Sequence, residues 1–214
     1  MFAVAAAVFA GGATGAAADD HAPLAATTPD AAIFATNNTA TITDPADPRL
    51  RKQLNGFARK VTRIIHRGGG VPRGSQLLDG VFFSSDSGTT TFERSREFAV
   101  DDVTDAELQD IAERVRVRFG QQSVLTFDHL PDAEQLDAFE VQVPGLDATR
   151  LRDGLLADPE AAARLFGGSV TLDGRLVLIA ELADFALVRA FVTDTLGADF
   201  ATASFRFGDR EFVG

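Results

Sequence analysis

Apolar residues along this chain recur at spacings of about 3.6 and 2 residues in alternating stretches. In order they spell strand–helix–strand–strand–helix–strand twice, over residues 32–130 and again over 138–214. Ile33 to Thr43 is rich in β-branched residues and reads as a strand or hairpin. Asp47 as N-cap and Pro48 at the first helical position then open an amphipathic helix, with Leu50, Leu54, Phe57, Val61, Ile64 and Ile65 on its apolar stripe and Gly68 as its stop. Strands follow at about 77–84 and 90–100, joined by Ser85-Asp86-Ser87-Gly88. On the second of these, Phe92, Phe98 and Val100 share a face with Arg94 and Arg96, an imperfect alternation. Thr104 and Glu107 form a capping box for a helix buried through Leu108, Ile111, Ala112, Val115 and Phe119, and Ser123 to Asp128 is the return strand.

The second copy starts with Phe139, Val141 and Val143 alternating against Glu140 and Gln142. Asp147 caps a helix to about Ala157, and Asp158-Pro159 restarts it as a shorter one. Val170 to Glu181 is a hairpin around Asp173-Gly174. Asp184 caps the last helix, and Phe200 to Phe207 closes the unit as a strand. The expected fold class is therefore α+β, with two tandem ferredoxin-like βαββαβ units. The short 131–137 connector favours pairing of their sheets, as in a dimeric α+β barrel, over two separate domains.

Composition sets the solvent rather than the fold. Acid is mostly Asp and base almost all Arg, the net charge is −11, and Cys, Trp and Tyr are absent while 18 Phe carry the aromatic bulk. Dense carboxylates with few lysines suit a high-salt organism such as a haloarchaeon. The absence of cysteine excludes disulfide scaffolds, thiolate metal sites and thiol catalysis. Residues 1–18 read as a signal peptide without a charged n-region, with Ala16-Ala17-Ala18 at its cleavage site, and 19–31 as a disordered linker. The expected location is extracellular or cell-envelope, the alternative being cytoplasmic, with no transmembrane span in the mature chain.

Chemistry-bearing residues are sparse. Between Arg49 and Arg67 lie seven basic residues and no acid, so the 48–67 helix presents a basic face to an anionic surface or an acidic protein partner. Nucleic acid is not expected, since the rest of the surface repels it and salt weakens phosphate contacts. The loop from His66 to Gly74 adds glycines between Arg67 and Arg73 that suit an anion, although a helix C-terminus disfavours one. Candidate contact residues are Arg59, Lys60, Arg63, His66, Arg67, Arg73 and His129. No spacing supports a metal site, a catalytic constellation or a bound cofactor; a metal site would want His66, His129 and a carboxylate such as Asp128. The expected function is a binding or interaction module without catalytic machinery. The alternatives are a cofactor-poor or haem-dependent oxidoreductase with a pocket between the two units, and a structural component of the cell envelope.

Overall fold

The computed structural model describes residues 30–37, 40–84, 88–129 and 137–214. The signal-peptide reading of 1–18, nearly all of the linker, the turn at Ser85–Ser87 and nearly all of the connector lie outside the described residues.

Among the described residues, eight strands and five α-helices follow one another along the chain. The strands are β1 (Asp30–Ala35), β2 (Val71–Ser84), β3 (Thr89–Asp101), β4 (Val124–His129), β5 (Ala138–Pro144), β6 (Gly167–Thr171), β7 (Arg175–Glu181) and β8 (Ser204–Val213). The helices are α1 (Asn55–Arg67), α2 (Asp105–Phe119), α3 (Ala148–Ala157), α4 (Pro159–Leu165) and α5 (Phe185–Ala190). All neighbouring strands run antiparallel, and they close into one barrel in the order β1-β3-β2-β6-β7-β5-β8-β4. The first four strands occupy one arc, as β4-β1-β3-β2, and the last four the other, as β6-β7-β5-β8. The arcs meet at the β2–β6 and β4–β8 pairings, so no sheet edge is left open among the described strands.

Helices pack against the outside of the barrel. Over the first arc, Phe57, Val61 and Ile65 of α1 and Leu108, Ile111 and Val115 of α2 cover Ile33, Phe98 and Val100. Over the second, Leu151, Leu155, Val188 and Phe191 cover Phe139, Val141, Leu176 and Leu178. Each such fully buried large side chain contributes about 1.5–3 kcal/mol relative to exposure. A third, smaller cluster joins Phe127, Ala138 and Ile179 with Phe34 and Leu125. Strand register puts these five on the opposite face, inside the barrel.

Five expected elements differ from the observed ones, the first being the strand or hairpin expected over 33–43, where β1 spans Asp30–Ala35 and so begins inside the expected linker. The helix expected from Pro48 is instead a 3₁₀ turn over Pro48–Arg51, followed by a break at Leu54 in the left-handed region (φ 54°) before α1. Leu50 packs into the cluster of the second arc and Leu54 into that of the first, and one straight helix cannot serve both. The glycine loop after α1 is mostly strand: β2 starts at Val71 and pairs with β3 through a bulge between Pro72 and Gly74. Asp184 makes no side-chain cap, and α5 passes into a π-helical turn over Phe191–Thr195. The final strand is shifted from 200–207 to β8, because Phe200–Thr202 turns to set Phe200 against Phe185 and Phe205.

Candidate functional site

The seven residues expected from sequence do not converge. Arg59, Lys60, Arg63, His66 and Arg67 are exposed on α1, outside the barrel. Arg63 Nε donates to the Arg59 carbonyl at 3.2 Å, and none of the five basic side chains has an ion pair among the described residues. Arg73 is no loop clamp: it lies on β2 and pairs with Asp101 of β3. Only His129 is buried (5% exposed), on the inner face of β4. The metal trio is likewise divided, with His66 on α1, His129 inside and Asp128 outside. Among the described residues no group of three or more His, Asp or Glu is placed to hold a metal ion.

What the inner faces bring together is different. Alternation places Glu93, Ser95 and Glu97 of β3, Gln76 of β2, Glu140 and Gln142 of β5, and Arg206 and Arg210 of β8 inside. Their neighbours Arg94 and Arg96 point outward. Arg94 pairs with Asp79 at 2.8 Å, and Arg96 donates to the Gln53 carbonyl at 2.8 Å and to Ser75 Oγ at 2.8 Å. The imperfect alternation of β3 thus has a cause: its basic positions are tied down under the helical layer.

His129, Glu140 and Arg206 form the centre of the inner group. Arg206 stands directly across from Glu140 in the β5–β8 pairing, and Gly208, two residues on, stands across from His129. Arg206 Nη1 lies 3.1 Å from His129 Nε2. Gln142 Nε2 donates to Glu140 Oε1 at 2.6 Å. The inclination that closes an eight-stranded barrel carries Glu97, on the far side of β1, to about the level of His129 and Glu140. Glu140 and Glu97 are buried (0% and 9% exposed), whereas Arg206 and Gln76 are exposed. The group is therefore a buried floor of His129, Glu97 and Glu140 beneath a polar rim. Below it the interior is the apolar cluster around Phe127 and Ile179.

Electrostatics follow from burial. Burial, with the Arg206 charge added, pushes the His129 imidazole down to about 3, so it is neutral at ordinary pH. Burial pushes the Glu93 carboxyl up to about 8, which keeps it largely protonated. On the outer face Asp128 is pushed up to about 7 by burial, by its hydrogen bond with Asp105, and by the nearby Asp105 and Asp209 charges. Two hollows, one along α3 beside Arg150 and one between α2 and the end of β8, lie outside the barrel.

Sequence reading missed every inner residue except His129. The signal was present as polar alternation, Glu93-x-Ser95-x-Glu97 and Glu140-x-Gln142, which an open antiparallel sheet would present to solvent. The second copy supplies the inner residues Glu140, Gln142 and Arg206.

No family model and no curated protein matches the chain. Among solved structures, one similar chain is a phage SAM lyase in complex with S-methyl-5'-thioadenosine (18% identity, TM-score 0.34, covering 47% of this chain and 78% of that one). Another is a "putative monooxygenase" from Lactobacillus acidophilus NCFM (11% identity, TM-score 0.26, covering 87% of this chain and 96% of that one). Both superpositions are too loose to transfer a function. The class that fold and site define is a closed antiparallel α+β barrel with an ionisable interior.

Proposed function

We propose that this protein binds a small polar molecule in the mouth of its barrel and moves a proton on it. In this reading the chain is a single-chain counterpart of a dimeric α+β barrel, built from two ferredoxin-like units. The repeated order of strands in the two arcs supports that description. One observation carries the functional reading: four ionisable side chains from four strands, Glu97, His129, Glu140 and Arg206, converge on the interior. Burying Glu97, His129 and Glu140 costs several kcal/mol apiece, and apolar residues would fill the same space more stably. Retaining them is the mark of a site more than of a core. Glu97 or Glu140 would exchange the proton with the bound molecule, while His129 and Arg206 orient it. A ligand-observed NMR screen of polar fragments tests this, with wild type compared against Glu140→Gln. Hits displaced by that substitution are expected. Hits that bind equally well to Glu140→Gln would overturn the reading.

A second activity is proposed for α1, on the observation that its exposed basic face is not neutralised by ion pairs within the described chain. It would dock an anionic surface or acidic partner in an exported, salt-adapted protein. Among the described residues no helix is long and apolar enough to cross a membrane. Sequencing of the mature N-terminus checks export, with Asp19 expected first and an intact Met1 as the refuting result. Circular dichroism across a salt titration checks adaptation, with structure expected to fade as salt is withdrawn.

A further inference from the structure

Arg206 differs from the other inward-facing arginine of β8. Arg210 is satisfied, donating to the Ile179 carbonyl at 3.2 Å and to Glu181 Oε1 at 3.4 Å. Among the described residues Arg206 makes one hydrogen-bonding contact, from Nη1 to the His129 imidazole, and no ion pair, although Glu140 stands directly across from it. An imidazole accepting from a guanidinium carries no charge, so the Arg206 cation is not neutralised by it. Glu140 Oε1 is instead held by Gln142. With Nη1 occupied, the Nε and Nη2 edge of the guanidinium remains, and that edge matches a carboxylate in two-point geometry. Arg206 is exposed at the rim, so a ligand can reach it from solvent.

Resting on the barrel-mouth reading above, we infer that Arg206 seats a carboxylate group of the small molecule this site takes. A monoanion fits better than a phosphate dianion. A single guanidinium edge matches one carboxylate, and the Glu97 and Glu140 carboxyl groups beneath it supply no second cation for a dianion. The remainder of the ligand should then offer hydrogen-bond donors to that acidic floor, as a hydroxy or amino acid does.

The experiment uses 4-fluorobenzoate and its neutral counterpart 4-fluorobenzamide as probes, followed by ¹⁹F NMR at constant salt. Full-length wild type is compared with Arg206→Gln, Arg206→Lys and the exposed control Arg189→Gln. Folding of each variant is verified by circular dichroism. Benzoate should bind wild type and Arg189→Gln alike, weaken by about tenfold or more in Arg206→Gln, and recover in part in Arg206→Lys. Benzamide should bind more weakly than benzoate and lose nothing in Arg206→Gln. Benzoate binding that survives Arg206→Gln overturns the carboxylate seat and leaves the barrel-mouth reading standing. Benzamide binding without benzoate binding does the same. If neither probe binds wild type, both readings fall.

Discussion

Arg206 Nη1 faces His129 Nε2 across 3.1 Å, so a permanent cation is set against an imidazole and not against a carboxylate. Because arginine only donates, Nε2 must accept, which places the ring proton on Nδ1 and fixes one neutral tautomer. Burial alone disfavours the imidazolium, and the adjacent cation disfavours it further. The pair therefore holds histidine in one protonation state across the whole physiological range.

Replacing Arg206 by Gln should raise the His129 pKa from about 3, yet leave it below the ordinary 6.5 because burial remains the larger cause. The ring titration followed by NMR checks this. His129 has its pKa depressed on folding, so its contribution to stability is present above pH 6.5 and lost as pH falls towards about 3. Arg206→Gln should make that acid loss shallower. An unmoved titration would mean the two side chains do not communicate.

Glu93 carries the opposite sign. Its folded pKa of about 8 lies above the ordinary 4.5, so its contribution is present below pH 4.5 and lost as pH rises through 8. Glu93→Gln removes that loss. Urea titrations at several pH values should show the variant gaining on wild type between pH 4.5 and 8, by at most roughly 3 kcal/mol at neutral pH. Equal pH dependence in the two proteins would show that Glu93 ionises without cost.

Gly208 stands opposite His129 in the β4–β8 seam, and a Cβ there would lie 1.3 Å from the Asp128 carbonyl oxygen. Backbone cannot yield as a side-chain tip does. Gly208→Ala is expected to disrupt one of the two seams that close the barrel, with a fall in Tm corresponding to about 3 kcal/mol or more and faster amide exchange along β4 and β8. A variant within about 0.5 kcal/mol of wild type would contradict the described strand contact.

Phe139 is fully buried and meets Phe185, Phe205 and Phe207 at ring-centroid distances of 5.2, 6.5 and 6.5 Å. Phe139→Ala should cost about 3–5 kcal/mol by calorimetry or denaturant titration. The fully buried Phe127, inside the barrel, is set against His129 edge-on at 4.8 Å. Phe127→Ala should therefore also shift the His129 ring resonances, which Phe139→Ala should not.

On α1, the combined reversal Arg59→Glu, Lys60→Glu, Arg63→Glu should abolish capture of an anionic partner while moving stability only slightly. These side chains are exposed and contribute no ion pair to the described fold. Capture that survives reversal would make α1 ordinary surface.

Much of the secondary structure was legible because its signals are local. The Thr104–Glu107 capping box begins α2 as read, and the Asp173-Gly174 turn joins β6 to β7. Local spacing misleads where a residue answers to a distant partner. Leu50 and Leu54 lie four residues apart on one apparent helical stripe, yet they pack in different clusters, and the helix breaks between them. Gly70 to Gly74 resembles a flexible loop by composition, but β3 offers it a partner strand and β2 extends through it.

The sequence by itself determined the alternation of strands and helices, the stripe each helix buries, and the basic face of α1. These depend on spacings of a few residues, which the backbone periods convert directly into faces. Only the tertiary structure decided that the two arcs join at β2–β6 and β4–β8. With that closure the second face of each strand, polar and outwardly ordinary in sequence, becomes an interior. Glu97, Glu140, Arg206 and His129 share one interior because of barrel curvature and strand stagger, relations between residues tens of positions apart that no local pattern encodes.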